Sequence, residues 1–425
     1  MPLAAKLAAS PARETPTRET LWRRFQAVRE ETERLAAPLA IEDYVVQTMA
    51  DVSPPKWHLA HVSWFFEHFV VAPHARGFRP FHPQFGYLFN SYYETVGTFF
   101  PRASRGLLSR PTVDEVYRYR AHVDRSIAEL IDTVGEASWP EVARRVELGL
   151  HHEQQHQELL LTDIKHIYAF NPLRPAYRAA LDPAEADARA IGWLEFDAGM
   201  REIGWAGSGF AFDNERPRHR VFLEPFRIAD RPVTNGEYLA FMADGGYARA
   251  ALWLSDGWRT VKERGWEAPL YWERVDGDWW QMTLAGMRCV DPREPVCHVS
   301  YYEADAFARW AGKRLPTESE WEVAAAAAPI AGNFRESGRL HPAPCDGDAQ
   351  FFGDVWEWTS SSYSPYPGFR PLEGAFGEYN GKFMANQLVL RGGSCVTPAS
   401  HLRLTYRNFF YAPDRWQFMG IRLAE

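Results

Sequence analysis

The chain has 425 residues, of which 46% are hydrophobic and 15% are aromatic, including 17 Trp and 27 Phe. This length exceeds one ordinary hydrophobic core and predicts two domains, and the aromatic content favours large apolar cores and aromatic-walled pockets. The formal net charge of −8 argues against a nucleic-acid partner. The sequence contains no apolar run of the roughly 18 residues that a membrane span requires, so no membrane partner is expected.

The N-terminus and the cysteines indicate the compartment. Residues 1–16 contain Ala and Pro but lack the apolar block of a signal peptide. We predict that residues 1–17 are a disordered lead and that the protein is cytoplasmic. The four cysteines form no CxxC pair and all lie in the C-terminal half, which is typical of reduced thiols: Cys289, Cys297, Cys345 and Cys395.

Helical patterns dominate the first 170 residues. An amphipathic, charge-rich segment covers residues 21–39, and helix start signals follow at 53–55, 109–112 and 138–141. Four helices joined by short or medium connections predict a four-helix bundle over residues 18–172. Such bundles build metal sites from inward-facing side chains on neighbouring helices.

A histidine pair in the last predicted helix indicates a metal site. His152 and His156 are four residues apart, so their imidazoles lie one above the other and could chelate one ion. A third ligand must come from elsewhere, and the second helix offers both His58 and His61. Glu158 points away from the pair on an ideal helix, which favours a supporting role over ligation. The alternative interpretation of the pair is an exposed polar helix face without metal.

The second half of the chain has a different pattern. Residues 173–190 are rich in Pro and Ala and predict a linker. Residues 191–425 combine short strand-prone runs with many Gly, Trp and Pro turns and few helical segments, which predicts an irregular α+β domain. The sequence shows no internal repeat and no Gly-rich nucleotide loop.

Four strings in this second half carry a family resemblance. They resemble the signature strings of the formylglycine-generating-enzyme (sulfatase-modifying) fold, a C-type-lectin-like architecture: VTNGEY at 233–238, WAGKRLPTE at 310–318, GDVWEW at 353–358 and LRGGS at 390–394. The first half resembles a DinB-type four-helix bundle. The two fused in this order resemble the ergothioneine-biosynthesis sulfoxide synthases of the EgtB type, over nearly the whole chain after about residue 18.

The resemblance implies a non-haem iron(II) enzyme that uses O2 as co-substrate. Such an enzyme joins the sulfur of cysteine or γ-glutamylcysteine to the imidazole of hercynine (Nα-trimethylhistidine) and leaves a sulfoxide. The motif places the Fe2+ ligands on His61, His152 and His156 and so selects His61 over His58. Three imidazoles leave about three open positions on an octahedral iron, which the two substrates and oxygen would need.

The resemblance also implies a tyrosine pair in the iron pocket. Tyr92 and Tyr93 stand at the corresponding place, and a tyrosine hydroxyl can act as a general acid without adding fixed charge. We favour Tyr93 over Tyr92 as the proton donor. The other interpretation is that one or both are core aromatics.

Candidate substrate contacts lie in three further segments. For the carboxylate of the thiol donor the resemblance implies Arg102, with Arg105 as the reserve, because guanidinium pairs with carboxylate bidentately. For hercynine it implies Gln155 and an aromatic segment that could hold the trimethylammonium group: Asn408, Phe409 and Phe410.

Two positions distinguish between thiol donors. Mycobacterial enzymes of this type carry an acidic residue and, four residues later, an Arg, whereas this chain has Phe410 and Asp414. The anchors for a γ-glutamyl group are therefore missing, and free cysteine is the expected donor. Sulfur and selenium donors are not distinguished by these residues.

Other interpretations keep part of this picture. A formylglycine-generating enzyme would need a second cysteine downstream of Cys395, and none is present. A selenoneine synthase or an ovothiol-type synthase would use the same fold, although the latter usually carries an extra methyltransferase domain. A lectin-like binding protein on a metal-free bundle is the alternative from a different class. The sequence is compatible with a homo-oligomer but does not specify one.

Overall fold

The structure is a computed structural model that describes residues 15–181, 189–345, 347 and 349–425. Most of the predicted lead (residues 1–14) and part of the predicted linker (182–188) lie outside the described residues. The first half is helical, as predicted: α1 (Arg18–Ala36), α2 (Pro55–Phe66), α3 (Ala72–His74), α4 (Phe85–Phe89), α5 (Val113–Thr133) and α6 (Trp139–Phe170). The long helices α1, α2, α5 and α6 pack as a bundle.

Local signals explain where these helices begin. Thr112 and Glu115 form a capping box at the start of α5, in which each side chain accepts a hydrogen bond from the other's backbone N–H. Pro55 and Pro140 stand in the first turns of α2 and α6, where a missing N–H costs nothing. A π-helical turn over Glu67–Val71 extends α2 towards α3.

The second half is an α+β domain, which confirms the predicted fold class. Its helices are α7 (Asn235–Ala243), α8 (Ser255–Arg264), α9 (Tyr301–Trp310) and α10 (Glu318–Ala325). Its strands are β1 (Trp193–Phe196), β2 (Gly199–Ile203), β3 (His219–Leu223), β4 (Phe226–Ala229), β5 (Trp272–Val275), β6 (Asp278–Thr283), β7 (Gly286–Cys289), β8 (Trp356–Ser362), β9 (Gln387–Arg391), β10 (Asn408–Tyr411) and β11 (Met419–Gly420).

The largest sheet among the described residues has four strands in the order β10-β9-β8-β11. Its β8–β11 pair is parallel and the other two pairs are antiparallel. The described part of the domain also contains a three-stranded meander (β5-β6-β7) and two two-stranded sheets (β1-β4 and β2-β3). Within the described ranges, no helix is long and apolar enough to cross a membrane.

The two halves meet along α6. Glu158 on this helix accepts hydrogen bonds from the indole of Trp356 and from the hydroxyl of Thr397 (2.8 Å). Four residues earlier, Gln154 donates to Ser400 at 2.7 Å. The end of α6 at Phe170 and the start of β1 at Trp193 flank the predicted linker, whose exact boundaries stay a prediction.

A buried charge network holds α6 against α1 and α5 within the bundle. Glu153 is fully buried, and its carboxylate pairs with Arg29 at 2.9 Å and Arg120 at 3.1 Å. Burial alone would raise the pKa of Glu153, but the two guanidinium groups and the hydroxyl of Thr32 outweigh it and lower that pKa. The three helices α1, α5 and α6 are therefore joined through one carboxylate beside His152.

We predict that Glu153→Ala destabilises the metal-free protein by about 3–5 kcal/mol. The buried guanidinium groups of Arg29 and Arg120 would lose their shared buried carboxylate and keep only the more exposed ones of Asp124 and Glu33. The matched control is Glu19→Ala, since Glu19 pairs with Arg23 on the surface of α1 and both side chains are more than 70% exposed. That control should cost only about 0.5 kcal/mol. Urea unfolding followed by circular dichroism measures both, and equal losses would contradict the prediction.

Candidate active site

Three histidines from two helices of the bundle converge near the contact between the two domains. His61 comes from α2, and His152 and His156 come from α6, one helical turn apart. Their ring centroids lie 4.7–4.9 Å from one another, and each ring offers a nitrogen within 4.8 Å of the other two. The Nε2 atoms of His61 and His152 are 3.2 Å apart. Such an arrangement can place three nitrogens around one ion.

The Nδ1 atoms, which are the outer nitrogens of the three rings, have different surroundings. Nδ1 of His61 donates to the carbonyl oxygen of Phe89 at 2.6 Å, so Nε2 keeps its lone pair. Nδ1 of His156 lies 2.9 Å from Nδ1 of His58. Nδ1 of His152 is buried and has no hydrogen-bond partner in the described part of the chain. His58 is 2% exposed and is therefore a buried partner of the candidate ligand His156.

The protonation of the cluster suits metal binding. Burial lowers the pKa of His152 to about 3 and takes those of His61 and His156 well below the usual value. For His61 and His156 the neighbouring imidazole of His152 adds to this effect. All three rings are therefore neutral near pH 7, the form in which imidazole binds a transition metal. The donor set fits a divalent ion such as Fe2+.

A cavity of about 370 Å³ opens beside His152 and His156 of the cluster. The bundle contributes His152 and His156 to its wall, and the C-terminal domain contributes side chains from β10 and from residues 379–387. This volume suits one or two small metabolites, and a wall shared by two domains is a common place for a ligand site.

The two tyrosines of the predicted pair differ in their access to the cavity. Tyr92 lines the cavity, whereas Tyr93 is fully buried behind it, with the two rings stacked at 4.6 Å. Tyr379, which the sequence did not suggest, also lines the cavity, and its ring lies 5.7 Å from that of His152. Burial raises the pKa of all three hydroxyls, so each keeps its proton.

The two candidate arginines lie on one short 3₁₀ helix, Arg102–Leu107, and both line the cavity. Arg102 is about half exposed, donates to the carbonyl oxygen of Asp51 and forms a loose ion pair with the Asp51 carboxylate at 3.8 Å. Arg105 is 3% exposed, stacks on Trp57 with its guanidinium carbon 3.3 Å from the ring centroid, and donates to two serine hydroxyls, of Ser53 (2.9 Å) and Ser91 (3.3 Å). No carboxylate among the described residues forms a salt bridge with Arg105.

The predicted hercynine contacts also lie on the cavity wall. They are Gln155, Asn408, Phe409 and Phe410. The amide of Gln155 accepts from the hydroxyl of Tyr379 and donates to that of Tyr406 at 2.6 Å. Phe409 stacks on Tyr363 at 4.0 Å, which fixes its ring.

Four carboxylates line this cavity, those of Asp51, Glu158, Asp163 and Asp414. Asp414 and Asp51 both line it, close to the arginines. Burial, and next the nearby Asp51, raise the pKa of Asp414 to about 7. The cavity therefore combines the buried guanidinium of Arg105 with the carboxyl group of Asp414, which ionises near neutral pH.

Comparisons with known proteins agree with this architecture. Residues 24–160 match the family model of the DinB superfamily, and residues 182–344 and 335–425 match that of the sulfatase-modifying factor enzyme 1-like domain. A hercynine oxygenase of Mycolicibacterium thermoresistibile is 34% identical over 445 aligned residues, which cover 96% of this chain and 95% of that protein. A hercynine oxygenase of Mycolicibacterium smegmatis is 32% identical, with 96% and 99% covered.

A second group of relatives matches the C-terminal half. A formylglycine-generating enzyme of Streptomyces coelicolor is 32% identical over 275 residues, which cover 53% of this chain and 86% of that enzyme. The hercynine oxygenases, in contrast, match from the helical bundle through the α+β domain, in the same order. Because the match to hercynine oxygenases covers both domains, the chain is an oxygenase that belongs to the hercynine oxygenase family of the EgtB type.

Proposed function

We propose that this protein is a non-haem iron(II), O2-dependent sulfoxide synthase. It would form the C–S bond between the imidazole of hercynine and the thiol of cysteine and give hercynylcysteine sulfoxide. The observation that carries the proposal is the cluster of three neutral imidazoles at a cavity walled by both domains, in a chain whose full-length relatives are hercynine oxygenases. When bound by His61, His152 and His156, Fe2+ would supply the redox chemistry with O2 and favour the thiolate form of the donor.

Arg105 is the better supported anchor for the donor carboxylate. Its guanidinium is buried, is held flat on Trp57 and has no salt-bridge partner among the described residues. A buried unpaired charge is costly, so a substrate carboxylate that pairs with it is strongly favoured. The half-exposed Arg102 would guide the same carboxylate from the cavity mouth.

Asp414 and Asp51 would bind the ammonium group of the donor. They lie on the wall that carries the arginines, so a free amino acid could place its carboxylate and its ammonium on opposite charges. In γ-glutamylcysteine the cysteine nitrogen is an uncharged amide and cannot use this acidic pair. This charge pattern supports free cysteine as the donor.

Hercynine would lie between α6 and β10. Gln155 is held by hydrogen bonds to two tyrosine hydroxyls and presents its amide to the cavity. Phe409 and Phe410 supply aromatic faces, which attract a trimethylammonium group without strong hydration. Asn408 adds a polar side chain beside them.

Tyr92 is the tyrosine of the pair that lines the cavity, and we propose that it donates the proton. Its raised pKa keeps the hydroxyl protonated at neutral pH, as a general acid requires. Tyr93, which the sequence favoured, would hold Tyr92 in place by stacking. Tyr379 would orient Gln155 through its hydroxyl.

Turnover tests the proposal directly. Iron-loaded protein mixed with hercynine, O2 and cysteine should give a product with the mass of hercynylcysteine sulfoxide, detected by mass spectrometry. His61→Ala and His156→Ala should abolish it because each removes one of three nitrogens, whereas His82→Ala, an exposed histidine outside the cavity, should not. Product with γ-glutamylcysteine alone would refute the donor assignment, and no product with either donor would refute the activity.

Donor analogues test the charge pattern. Arg105→Ala should raise KM for cysteine but not for cysteamine, which lacks the carboxylate. Asp414→Asn should raise KM for cysteine but not for 3-mercaptopropionate, which lacks the amine. If each variant instead raised KM for its analogue as much as for cysteine, the substitutions would have caused a general defect of the cavity.

The pKa of Asp414 predicts how the preference for cysteine over an analogue without the amine changes with pH. Because the pKa of Asp414 is about 7 in the free enzyme, its carboxylate is lost as the pH falls through 7. The ratio of kcat/KM for cysteine to that for 3-mercaptopropionate should therefore rise about tenfold from pH 6 to pH 8. Asp414→Asn should make this ratio flat, and a persistent rise in that variant would assign the titration to another group.

Conservative variants distinguish the roles of the three tyrosines. Tyr92→Phe should lower kcat about 10²- to 10⁴-fold with little change in KM, as expected for a lost general acid. Tyr379→Phe should mainly raise KM for hercynine, because Gln155 loses one of its two partners. A large loss of kcat in Tyr93→Phe with normal Tyr92→Phe would reverse the assignment.

A further inference from the structure

His58 connects a candidate metal ligand to a buried carboxylate. Its Nδ1 lies 2.9 Å from Nδ1 of His156, and its Nε2 lies 2.9 Å from Oδ2 of Asp163. Both His58 and Asp163 are 2% exposed, and the same Oδ2 accepts the backbone N–H of Ser53 at 2.8 Å. The result is a continuous row from Asp163 through His58 to His156.

When the rings of His58 and His156 are neutral, the hydrogen bonds along this row allow only one placement of their protons. A carboxylate can only accept, so Nε2 of His58 carries the hydrogen that it donates to Asp163. Nδ1 of His58 then has a lone pair and accepts from Nδ1 of His156. Consequently Nε2 of His156 is left with its lone pair and is the nitrogen available to an ion in the cluster.

We infer that Asp163 and His58 are positioning residues that fix the tautomer and ring orientation of His156 for metal binding. The inference rests on the metal site of the proposed function but not on its substrates. A hydrogen-bond partner on the outer nitrogen of a histidine ligand orients the ring and raises its basicity, and its loss typically lowers metal affinity about 10- to 100-fold.

The three candidate ligands differ in this respect. His61 is oriented by a backbone carbonyl, which substitution cannot remove. The outer nitrogen of His152 has no partner in the described part of the chain. His156 alone depends on the side chains of His58 and Asp163, so its orientation can be changed without touching a ligand.

The test measures metal affinity rather than turnover. Co2+ alone is titrated into metal-free full-length protein in competition with a chelator, and the visible absorption of the bound ion is recorded. His58→Leu and Asp163→Ala should each weaken Co2+ binding about 10- to 100-fold and change its spectrum. His341→Leu is the matched control, because His341 is also a buried histidine paired with a carboxylate, that of Glu294 at 2.9 Å, but lies outside the cavity.

A conservative variant separates positioning from packing. One oxygen of Asp163 accepts both hydrogen bonds while Oδ1 has no partner among the described residues, so Asp163→Asn can keep both bonds with its amide oxygen. It should retain Co2+ affinity better than Asp163→Ala, even if the leucine variant fails to fold. Unchanged affinity and spectrum in Asp163→Ala, or equal losses in the alanine, asparagine and control variants, would overturn the inference.

The outcome is distinguishable from failure of the proposed function. Wild-type protein that binds Co2+ tightly but forms no sulfoxide would refute the activity and leave the positioning role supported by the variants. Wild-type protein that makes sulfoxide while His58→Leu binds Co2+ as tightly as wild type would refute the positioning role alone.

Discussion

The burial of α6 is the constraint on which the rest of the structure depends. This helix has 32 residues, and most of them are buried although many are polar or charged. Each buried polar side chain needs a partner, and the direction in which it points determines what packs there. Glu153 faces the arginines of the bundle, and Glu158 faces the indole and hydroxyls of the α+β domain. The histidine pair faces the cavity between them.

The cavity is complete only when both domains are present. The bundle supplies the imidazoles and the arginines, and the α+β domain supplies Tyr379 and the aromatic strand β10. Residues 378–382 also reach back to the bundle: the carboxylate of Glu378 accepts from the backbone of Glu94 (3.0 Å) and Thr95 (3.1 Å), and Lys382 donates to the carbonyl oxygen of Tyr92. The segment that carries Tyr379 is therefore fastened to the segment that carries Tyr92.

Features that depend on local sequence could be predicted. The helix starts follow from proline and capping patterns over three or four residues, and the His152–His156 pair follows from helical periodicity. The pattern of strands and turns alone predicted an irregular α+β domain, and the resemblance of four strings added the formylglycine-generating-enzyme fold. These parts of the analysis needed no knowledge of long-range packing.

The remaining features depend on contacts between distant segments. Tyr379 meets Gln155 across 224 residues of sequence, and nothing near Tyr379 distinguishes it from a core aromatic. Arg102 and Arg105 look equivalent in sequence, and it is the packing of Trp57 under Arg105 that buries one and leaves the other half exposed. The place of His58 behind His156 likewise needs the distance between two helices.

Ser53, just before α2, touches two parts of the site at once. Its backbone N–H binds Asp163, and its hydroxyl accepts from Arg105 at 2.9 Å. A displacement of Ser53 by an anion at Arg105 would therefore also move the carboxylate behind His58. If the two events are coupled in this way, thermodynamic linkage requires that donor and metal change each other's affinity by the same factor. One serine would then make occupancy of the amino-acid pocket and occupancy of the histidine cluster mutually dependent.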